Sequence, residues 1–577
     1  MSNIPTFAPR KEKLKRLLNR MGLLVMLRQI HDRFNPIAWA KRRSNAVALQ
    51  RIGQRLAPLA RQVAEQSQRA QGTALFIGMG GVSYVLQQLP VIAGVVAHGL
   101  RPIIVLPSRA NREDRRLYEL CGVQTFVFWD DQPECSEVES VMQQLAACES
   151  QSEVVDLRWQ DVAVGKYAIS TLMRRMRAGQ IDLTQPALRT HLEIVVRRAL
   201  DHTAAAIRFI EEWRPQLVVF VDRGYTPEGP FFEACINRGI RPITFNAAHR
   251  DNTLMLKRYG PRNSNVHPSS LSTETWTALR DAMPWTASHW SRLREQFEFC
   301  YRSGQWYGEV GTQFGARLMD REALLARLKL DLNKKTVLLF PHIFWDATFF
   351  WGRDIFSDYE EWFRESVRGA WANDQVNWII KVHPANQVKN QRDGVKGEYS
   401  EIRVLREFGT IPSHIRVLSA DTEISTLSLF AVGDFCLTVR GTVGIEAAML
   451  GLNVVTAGTG RYDRHGFTTD MTNAEEYRAL LGRIHELPPP QPEQVELARR
   501  YAYGVFLLRP LEMSSVNFSY ARTQDAALQV EVPADAETEF LRRPDIAAIA
   551  RWLTAETEDF VMDGAMLREC ARVDAPL

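Results

Sequence analysis

The stretch that most constrains the fold is residues 438–460, which reads as the end of a strand, a Gly/Thr turn, a helix and a second strand. Apolar residues at helical spacing follow the turn, and Gly451 ends the helix before a β-branched run. A helix that begins on such a turn at the mouth of a parallel sheet presents free N–H groups and a positive dipole end. The stretch predicts a phosphate-binding βαβ unit, although an ordinary βαβ unit has the same pattern.

The same alternation of strand, loop and helix recurs in both halves of the chain. Buried strands are predicted at residues 74–77, 102–106, 125–129, 217–221 and 240–246, and again at 335–340, 377–382, 415–418 and 435–438. This alternation is typical of doubly wound parallel sheets, and 577 residues exceed what one core usually needs. We predict an α/β fold with two Rossmann-like domains facing a cleft, with helical N- and C-terminal extensions. The predicted ranges are 71–330 and 331–487 for the domains, and 1–70 and 488–577 for the extensions.

Composition excludes several classes of protein. A hydrophobic content of 45% and a charged content of 24% are those of a soluble globular protein. The seven cysteines form no Cys-x-x-Cys pair, which argues against a disulfide framework or a zinc site and favours a reducing compartment. Neither a signal peptide nor an apolar run of about 18 residues is visible. We therefore expect a cytoplasmic protein.

The positive charge is concentrated at the N-terminus. Residues 1–45 contain eleven Lys or Arg residues and two acidic residues, although the net charge of the whole chain is only +4. A basic amphipathic helix in residues 11–43 can lie on an anionic membrane surface, here the inner face of the cytoplasmic membrane. The alternative is a helix packed on the protein itself with a solvated basic face. Because no aromatic platform or known module accompanies the charge, we expect no nucleic-acid partner.

In the first half, a Gly-rich turn follows the strand at 74–77. It contains Gly80 and Gly81, but Ser83 stands where a dinucleotide fingerprint has its third glycine. The next strand ends in Pro-Ser-Arg and supplies no acidic residue for a ribose. We interpret this turn as a close approach of the backbone to a ligand, and not as an NAD site.

Polar side chains also follow the strands at 217–221 and 240–246. Ligands of open α/β sheets gather at the carboxyl ends of strands, so acidic residues there are candidates for acid/base chemistry or sugar-hydroxyl binding. Helix capping with a surface salt bridge, or a structural histidine, is the alternative. We predict Glu228 or Asp222 as the catalytic base, with Arg223, His249 and Arg250 as secondary or acceptor-binding residues.

The second half places basic groups at the same kind of edge. Lys381 and His383, at positions i and i+2, point to the same side of a strand that Pro384 ends. There they can give charge-assisted hydrogen bonds to a phosphate. The turn at 440–442 and Glu446, one turn into the helix, would complete the site. The candidate ligand-binding residues of this half are Lys381, His383, Arg440, Gly441, Thr442, Glu446 and Asp346, with Tyr462 in a polar loop that can close on the site. We expect neither a metal ion nor a cofactor, because no metal-ligand constellation or Asp-x-Asp motif is visible.

These motifs resemble the capsule polysaccharide biosynthesis family, which includes β-Kdo transferases. The resemblance rests on residues 340–346 (Phe-Pro-His-Ile-Phe-Trp-Asp), 380–384 (Ile-Lys-Val-His-Pro), 440–448 and 462–468. It implies the two-domain GT-B arrangement. It also implies that the ligand-binding candidates of the second half bind a nucleotide sugar, namely Lys381, His383, Arg440, Gly441, Thr442, Glu446 and Asp346. The His-Pro pair is also similar to that of bacterial sialyltransferases, where the histidine and the following turn hold cytidine monophosphate. Teichoic-acid glycerophosphotransferases, which use CDP-glycerol, share the Lys-x-His-Pro pattern.

The resemblance implies a glycosyltransferase of surface (capsular or O-antigen) polysaccharide synthesis. It would transfer a sugar from a nucleotide sugar, with CMP-Kdo favoured, to a glycan or lipid-linked acceptor. Two alternatives stay open on the same fold. One is a nucleotide-sugar epimerase, and the other is a non-catalytic polysaccharide-assembly protein.

Overall fold

A computed structural model describes residues 53–308, 316–395, 397–520, 528–531 and 540–562. Its centre is two sheets, each with helices on both faces, as the α/β prediction requires. Residues 53–68 are helical, while the rest of the predicted N-terminal extension, including the basic stretch at 11–43, lies outside the described residues. No helix within the described ranges is long and apolar enough to cross a membrane.

The first sheet has the strand order β13-β6-β5-β4-β1-β2-β3. Its strands are β1 (Gly72–Ile77), β2 (Leu100–Leu106), β3 (Thr125–Phe128), β4 (Leu217–Phe220), β5 (Ile243–Ala247), β6 (Thr253–Arg258) and β13 (Leu511–Glu512). Strands β1 to β5 are parallel, and β6 is antiparallel to β5. The apolar residues alternate between two helix layers, because Leu75 packs into one core and Phe76 into the other.

The helices of the first half cover both faces of this sheet. They are α1 (Val82–Ala97), α2 (Arg112–Leu120), α3 (Glu139–Ala147), α4 (Gln151–Val155), α5 (Val164–Met176), α6 (Pro186–Trp213) and α7 (Glu228–Asn237). Three more helices lead to the second sheet: α8 (Thr273–Thr277), α9 (Ala287–Ser303) and α10 (Arg321–Leu328).

The second sheet has six parallel strands in the order β12-β11-β10-β7-β8-β9. They are β7 (Thr336–Leu339), β8 (Asn377–Lys381), β9 (Ile415–Leu418), β10 (Phe435–Thr438), β11 (Asn453–Thr456) and β12 (Thr469–Asp470). The helices are α11 (Tyr359–Ala372), α12 (Ala385–Asp393), α13 (Ser400–Glu407), α14 (Thr426–Phe430), α15 (Thr442–Met449) and α16 (Ala474–Gly482).

This order makes the direction of winding reverse between β7 and β10. The chain builds β8 and β9 on one side of β7, and then returns to build β10, β11 and β12 on the other side. Ligands of doubly wound sheets bind in the crevice at the carboxyl ends of the strands where this reversal occurs. The loops after β7 and β10 therefore mark the expected site.

The region after residue 488 differs from the expected helical extension. It contains the helices α17 (Pro492–Tyr503) and α18 (Pro544–Ala555), but also β13 and the hairpin of β14 (Asn517–Tyr520) and β15 (Leu528–Glu531). The chain returns to the first domain, where β13 pairs with β6 and α18 packs on α1. A strand of two residues has no alternating pattern that the sequence could show. The predicted boundaries of the domains stay predictions.

Candidate functional site

A cavity of about 220 Å³ lies at the reversal point of the second sheet. Residues after β7, β8 and β10 line it, as the strand order leads one to expect. Five of the predicted nucleotide-sugar-binding residues meet in this cavity: Lys381, His383, Gly441, Thr442 and Glu446. The structure thus brings together residues that lie up to 65 positions apart in sequence.

Lys381 is the last residue of β8 and is only 4% exposed. Its Nζ donates to the Thr426 hydroxyl at 2.6 Å, which positions the ammonium group at the cavity wall. Burial lowers the pKa of Lys381 to about 8, and the nearby Glu446 carboxyl opposes this shift. The side chain thus still carries a positive charge at neutral pH.

His383 presents a neutral imidazole to the cavity. Its Nδ1 accepts a hydrogen bond from the Ala385 amide at 3.2 Å, at the start of α12. Burial lowers the pKa of His383 to about 4, with Lys389 adding to the shift. Because Nδ1 is the acceptor, the ring proton belongs on Nε2, which is then a hydrogen-bond donor.

The Gly/Thr turn at the start of α15 is fixed from behind. The Gly441 amide donates to the Thr438 hydroxyl at 3.1 Å, and the Tyr462 hydroxyl donates to the Gly441 carbonyl at 2.7 Å. Gly444 allows this arrangement, because a Cβ there would collide with the Tyr462 hydroxyl. Tyr462 is buried and does not line the cavity, so its position is that of a support for the turn.

Glu446 lies one turn into α15 and is 4% exposed. The Tyr301 hydroxyl donates to its carboxylate. Burial raises the pKa of Glu446 to about 7, against the opposing effects of the Tyr301 hydrogen bond and the Arg461 and Lys381 charges. A carboxyl that is part protonated at neutral pH can accept or donate a hydrogen bond to a ligand hydroxyl.

Two basic residues line the cavity that the sequence did not single out. His342, after β7, stacks on Tyr359 at 4.5 Å, and its Nε2 accepts a hydrogen bond from the Arg440 amide at 3.3 Å. Arg461 donates to the Thr442 hydroxyl at 2.5 Å and to the Ser269 hydroxyl at 3.0 Å. The sequence feature that indicates His342 is its position two residues after the predicted strand at 335–340. Arg461 is the first residue of the polar loop that is predicted to close on the site.

An aromatic wall closes the cavity on the side of α9. It consists of Tyr301, Trp306 and Tyr307. The Tyr301 and Trp306 rings are stacked at 5.3 Å, and Trp306 lies edge-on to Tyr307 at 5.5 Å. No sequence pattern indicates this wall, because residues 261–335 show few strand signals.

Arg440 and Asp346 lie outside the lining of this cavity. The Arg440 guanidinium pairs with Asp354 and donates to the Trp351 carbonyl, and burial lowers the pKa of Arg440 to about 9. Asp346 pairs with Lys389 and accepts a hydrogen bond from the Tyr225 hydroxyl at 2.6 Å. Both side chains are thus held by protein partners, and a role for them in nucleotide-sugar binding stays a prediction.

The predicted catalytic carboxylates lie at the end of β4, in the first domain. Asp222 accepts hydrogen bonds from the Arg223 and Gly224 amides at 2.7 and 3.1 Å. Glu228 is the first residue of α7, and burial together with the Asp222 charge raises its pKa to about 7. Neither residue lines the 220 Å³ cavity. Their loop does meet the second domain, through the hydrogen bond from Tyr225 to Asp346.

The three secondary candidates in the first domain have internal contacts. The Arg223 guanidinium lies over the rings of Phe232 and Tyr259 and donates to the Val266 carbonyl at 2.6 Å. His249 is buried against Trp306, and burial lowers its pKa to about 3. Arg250 pairs with Glu512. An acceptor-binding role for Arg223, His249 and Arg250 stays a prediction.

A carboxylate of the protein itself lies at the Gly-rich turn before α1. The Gly81 amide donates to Asp114 at 2.9 Å, and Gly80 lies beside the same carboxylate. Ser83 is the second residue of α1. The backbone of this turn thus lies against the side chain of Asp114, and its approach to a ligand stays a prediction. Across the described ranges, no group of three or more His, Cys, Asp or Glu residues is placed to hold a metal ion.

Comparison with known proteins places the cavity inside a recognised family segment. Residues 312–485 match the family model described as capsule polysaccharide biosynthesis protein, and no curated protein matches the sequence significantly. A similar solved structure is Thermosulfurimonas dismutans KpsC, beta Kdo 2,4 transferase, at 13% identity, covering 57% of this chain and 87% of that chain, with a TM-score of 0.32. Another is UDP-GlcNAc 2-epimerase from Neisseria meningitidis, at 11% identity, covering 75% of this chain and 97% of that chain, with a TM-score of 0.24.

The family match includes all the strands of the second sheet and the cavity residues from His342 to Arg461. Four parts of the matched segment contribute residues to the cavity lining. They are the loop after β7, the end of β8, the turn before α15 and the loop after β11. Residues 312–485 of this chain are thus similar to the capsule polysaccharide biosynthesis family.

Proposed function

We propose that the protein is a glycosyltransferase of bacterial surface polysaccharide synthesis, which transfers a sugar from a nucleotide sugar to a glycan or lipid-linked acceptor. The observation that carries the proposal is the convergence of Lys381, Arg461, the His383 donor and the start of α15 on one cavity. Cations, N–H donors and a helix N-terminus are the groups that bind phosphate. The similarity of residues 312–485 to the family supports the same pathway.

In this proposal the second domain holds the nucleotide and stabilises the leaving phosphate. Lys381 and Arg461 supply positive charge, and His383 donates a hydrogen bond from Nε2 without needing to be protonated. Preorganised donors in a buried site stabilise developing negative charge because they need no reorganisation during the reaction. We propose that these groups act without a metal ion. Sugar transfer that persists in the presence of EDTA would support this.

The base in this proposal is Glu228 of the first domain. Its pKa of about 7 suits a group that must take a proton from an acceptor hydroxyl at neutral pH. Asp222 is the weaker candidate, because its carboxylate already accepts two amide hydrogen bonds within its own loop. For Glu228 to act, the acceptor must lie between the loop after β4 and the cavity.

The donor nucleotide is tested by calorimetric titration of the protein with CMP, CDP, UDP and GDP. We propose a CMP-linked sugar, with Kdo favoured, so CMP should bind more tightly than UDP or GDP. His383→Gln should weaken CMP binding about 10- to 100-fold, which corresponds to the 1.5–3 kcal/mol of a hydrogen bond to a charged group. His191→Gln, on α6 and outside the cavity lining, is the control and should leave CMP affinity unchanged.

Turnover tests the assignment of the base. Glu228→Gln should lower kcat by about 10²- to 10⁴-fold, the usual contribution of general acid/base catalysis, while CMP affinity stays at the wild-type value. Asp222→Asn should have the smaller effect. If both folded variants keep wild-type turnover, the base is another residue. Conversion of the nucleotide sugar without any acceptor would instead favour an epimerase.

A further inference from the structure

A second concave surface lies along α9, beside the 220 Å³ cavity described above, which we call the nucleotide cavity. It is an open groove of about 440 Å³. Arg292, Glu295, Gln296 and Phe299 line it from α9, and their spacing of three, four and seven residues puts them on one face of that helix. Arg250, after β5, lies across the groove from this face. We call this surface the α9 groove; its volume lies within the range of ligand-binding pockets.

The α9 groove contains a solvent-exposed aromatic ring, that of Phe299, beside the planar amide and carboxylate groups of Gln296, Gln305 and Glu295. Phe299 is 58% exposed, although a large apolar residue in the middle of a polar helix face gains nothing from contact with water. Gln296 and Gln305 each offer amide donors and an acceptor, and Glu295 offers carboxylate acceptors. The ring can lie against the C–H face of a pyranose through its negative π-face, while the planar groups hydrogen-bond to hydroxyls.

The lining of the α9 groove holds two guanidinium groups, of Arg250 and Arg292, and one carboxylate, of Glu295, and the two guanidinium groups are the candidate partners of an acidic ligand. Within the ranges that the structure describes, Arg292 has no acidic side chain within salt-bridge distance, and its Nη1 donates only to the neutral Tyr503 hydroxyl, at 3.2 Å. The Nε of Arg250 is buried and has no hydrogen-bond partner among the described residues. The acidic partner of Arg250, Glu512, is itself 60% exposed and can be exchanged for a ligand carboxylate. Guanidinium groups bind carboxylates in a bidentate manner.

The α9 groove and the nucleotide cavity share one wall. Gln305 lines the groove, and the next two residues, Trp306 and Tyr307, line the cavity. The Tyr307 amide donates to the His249 carbonyl at 2.7 Å, and Arg250 of the groove follows His249 directly. The two sites are therefore separated by the layer that His249 and Trp306 form, with ring centroids 5.1 Å apart.

We propose that the α9 groove binds a carboxylate-bearing saccharide chain, namely the part of a polymeric acceptor that lies beyond the reacting sugar. This assignment of the acceptor class rests on the proposed glycosyltransferase function. Arg292 is the anchor for a carboxylate and Phe299 the platform for a sugar ring. A binding site outside the reaction centre holds a long acceptor during transfer and discriminates it from short or neutral saccharides.

The experiment measures binding of two saccharide probes to the full-length protein by calorimetry, without nucleotide. The acidic probe is hexagalacturonate, and the neutral probe of equal length is maltohexaose. We expect hexagalacturonate to bind at least fivefold more tightly than maltohexaose. Arg292→Gln and Phe299→Ala should each weaken hexagalacturonate binding at least fivefold. Arg294→Gln is the matched control, because Arg294 lies on the same helix but not in the groove lining, and its loss should change affinity less than twofold.

Thermal unfolding shows whether each variant is folded before its affinity is compared. The proposal is overturned if hexagalacturonate shows no saturable binding, if maltohexaose binds as tightly, or if both groove variants bind within twofold of the wild type. CMP titration of the same variants separates this result from the proposed function. Intact CMP binding with no saccharide binding refutes the α9 groove alone, whereas saccharide binding by a wild-type protein that binds none of CMP, CDP, UDP and GDP refutes the transferase.

Discussion

Glu446 and Lys381 lie buried in one cavity, and burial shifts their pKa values in opposite directions. Burial disfavours the charged form of each, so it raises the pKa of the carboxyl to about 7 and lowers that of the ammonium to about 8. Each charge also favours the other. At neutral pH the cavity thus holds a cation beside a carboxyl that is close to its titration midpoint. A bound phosphate, which needs positive charge, is better served by the protonated carboxyl.

The pKa of Glu446 predicts a pH dependence of stability. Between pH 4.5 and about 7 the folded protein holds the Glu446 proton more tightly than the unfolded chain does. The contribution of Glu446 to the free energy of unfolding is therefore largest below pH 4.5 and is lost as the pH rises through 7. In the wild type, titration of Glu446 should lower the free energy of unfolding by up to about 3 kcal/mol across this pH range, and Glu446→Gln should abolish that decrease. Urea unfolding at pH 5 to 8 measures it, as the difference between variant and wild type at each pH. A difference that does not change with pH would contradict the assigned pKa.

A control for this measurement is Glu401, whose carboxyl accepts a hydrogen bond from Asn386 at 2.7 Å outside the cavity. Burial also raises the pKa of Glu401 to about 7. Glu401→Gln should therefore show the same sign of pH dependence without changing CMP affinity. Only Glu446→Gln should change both.

At the scale of elements, the start of α15 depends on close packing against Tyr462. A Cβ at Gly444 would collide with the hydroxyl that supports the Gly441 carbonyl. Gly444→Ala should destabilise the protein by about 1–3 kcal/mol, the usual range for overpacking, and should weaken CMP binding because the turn moves. Thermal unfolding and calorimetry measure the two effects. The matched control is Gly482→Ala, at the end of α16, where an added Cβ meets open space and stability should hold or rise slightly.

Elements that the sequence predicted well are those with a purely local signal. The run at 377–382 predicts a buried strand and forms β8 (Asn377–Lys381), because a short apolar run that is rich in β-branched residues and ends at a proline favours a covered parallel strand over a helix. The strand-end rule then predicted the positions of Lys381, His383 and the turn at 441–442. These positions follow from the order of strands and loops and need no knowledge of side-chain packing.

The remaining features depend on partners that are distant in sequence. Nothing near Tyr301 indicates that α9 would place its hydroxyl on Glu446, because an aromatic residue at helical spacing looks the same in any core. Arg440 stands in the turn that is predicted to bind phosphate, yet its guanidinium pairs with Asp354. Asp346 likewise follows a strand but meets Tyr225 of the other domain. Which of several available partners a charged side chain takes is decided by tertiary packing.

At the scale of the whole molecule, a buried charge cluster ties the C-terminal segment to the first sheet. Asp559 is fully buried, and its carboxylate pairs with Lys257 of β6 at 2.8 Å and with Arg509 at 3.4 Å. It also accepts a hydrogen bond from the Ser272 amide at 2.6 Å. These contacts join three parts of the chain that lie about 50 to 300 residues apart. Burial of charges is tolerated here because they are paired.

Asp559→Asn should destabilise the protein by about 3–5 kcal/mol, because it leaves Arg509 buried without its carboxylate partner and removes the buried one of the two carboxylates that pair with Lys257. Glu558→Gln is the matched control. Glu558 pairs with the same lysine at 2.6 Å but its side chain is 30% exposed, so its removal should cost about 1 kcal/mol or less. Urea unfolding of the two variants measures the contrast. Equal effects would mean that the cluster does not hold the segment in place.

The return of the chain to the first sheet also fixes an order of assembly during protein synthesis. Strand β13 completes the edge beside β6, and α18 covers α1, but both emerge from the ribosome only after the entire second domain has been translated. Until then the nascent first sheet has an open edge at β6 and an uncovered apolar helix, which are the features that recruit other chains or chaperones. The second domain, synthesised later, has all six of its strands by residue 470 and can finish folding first.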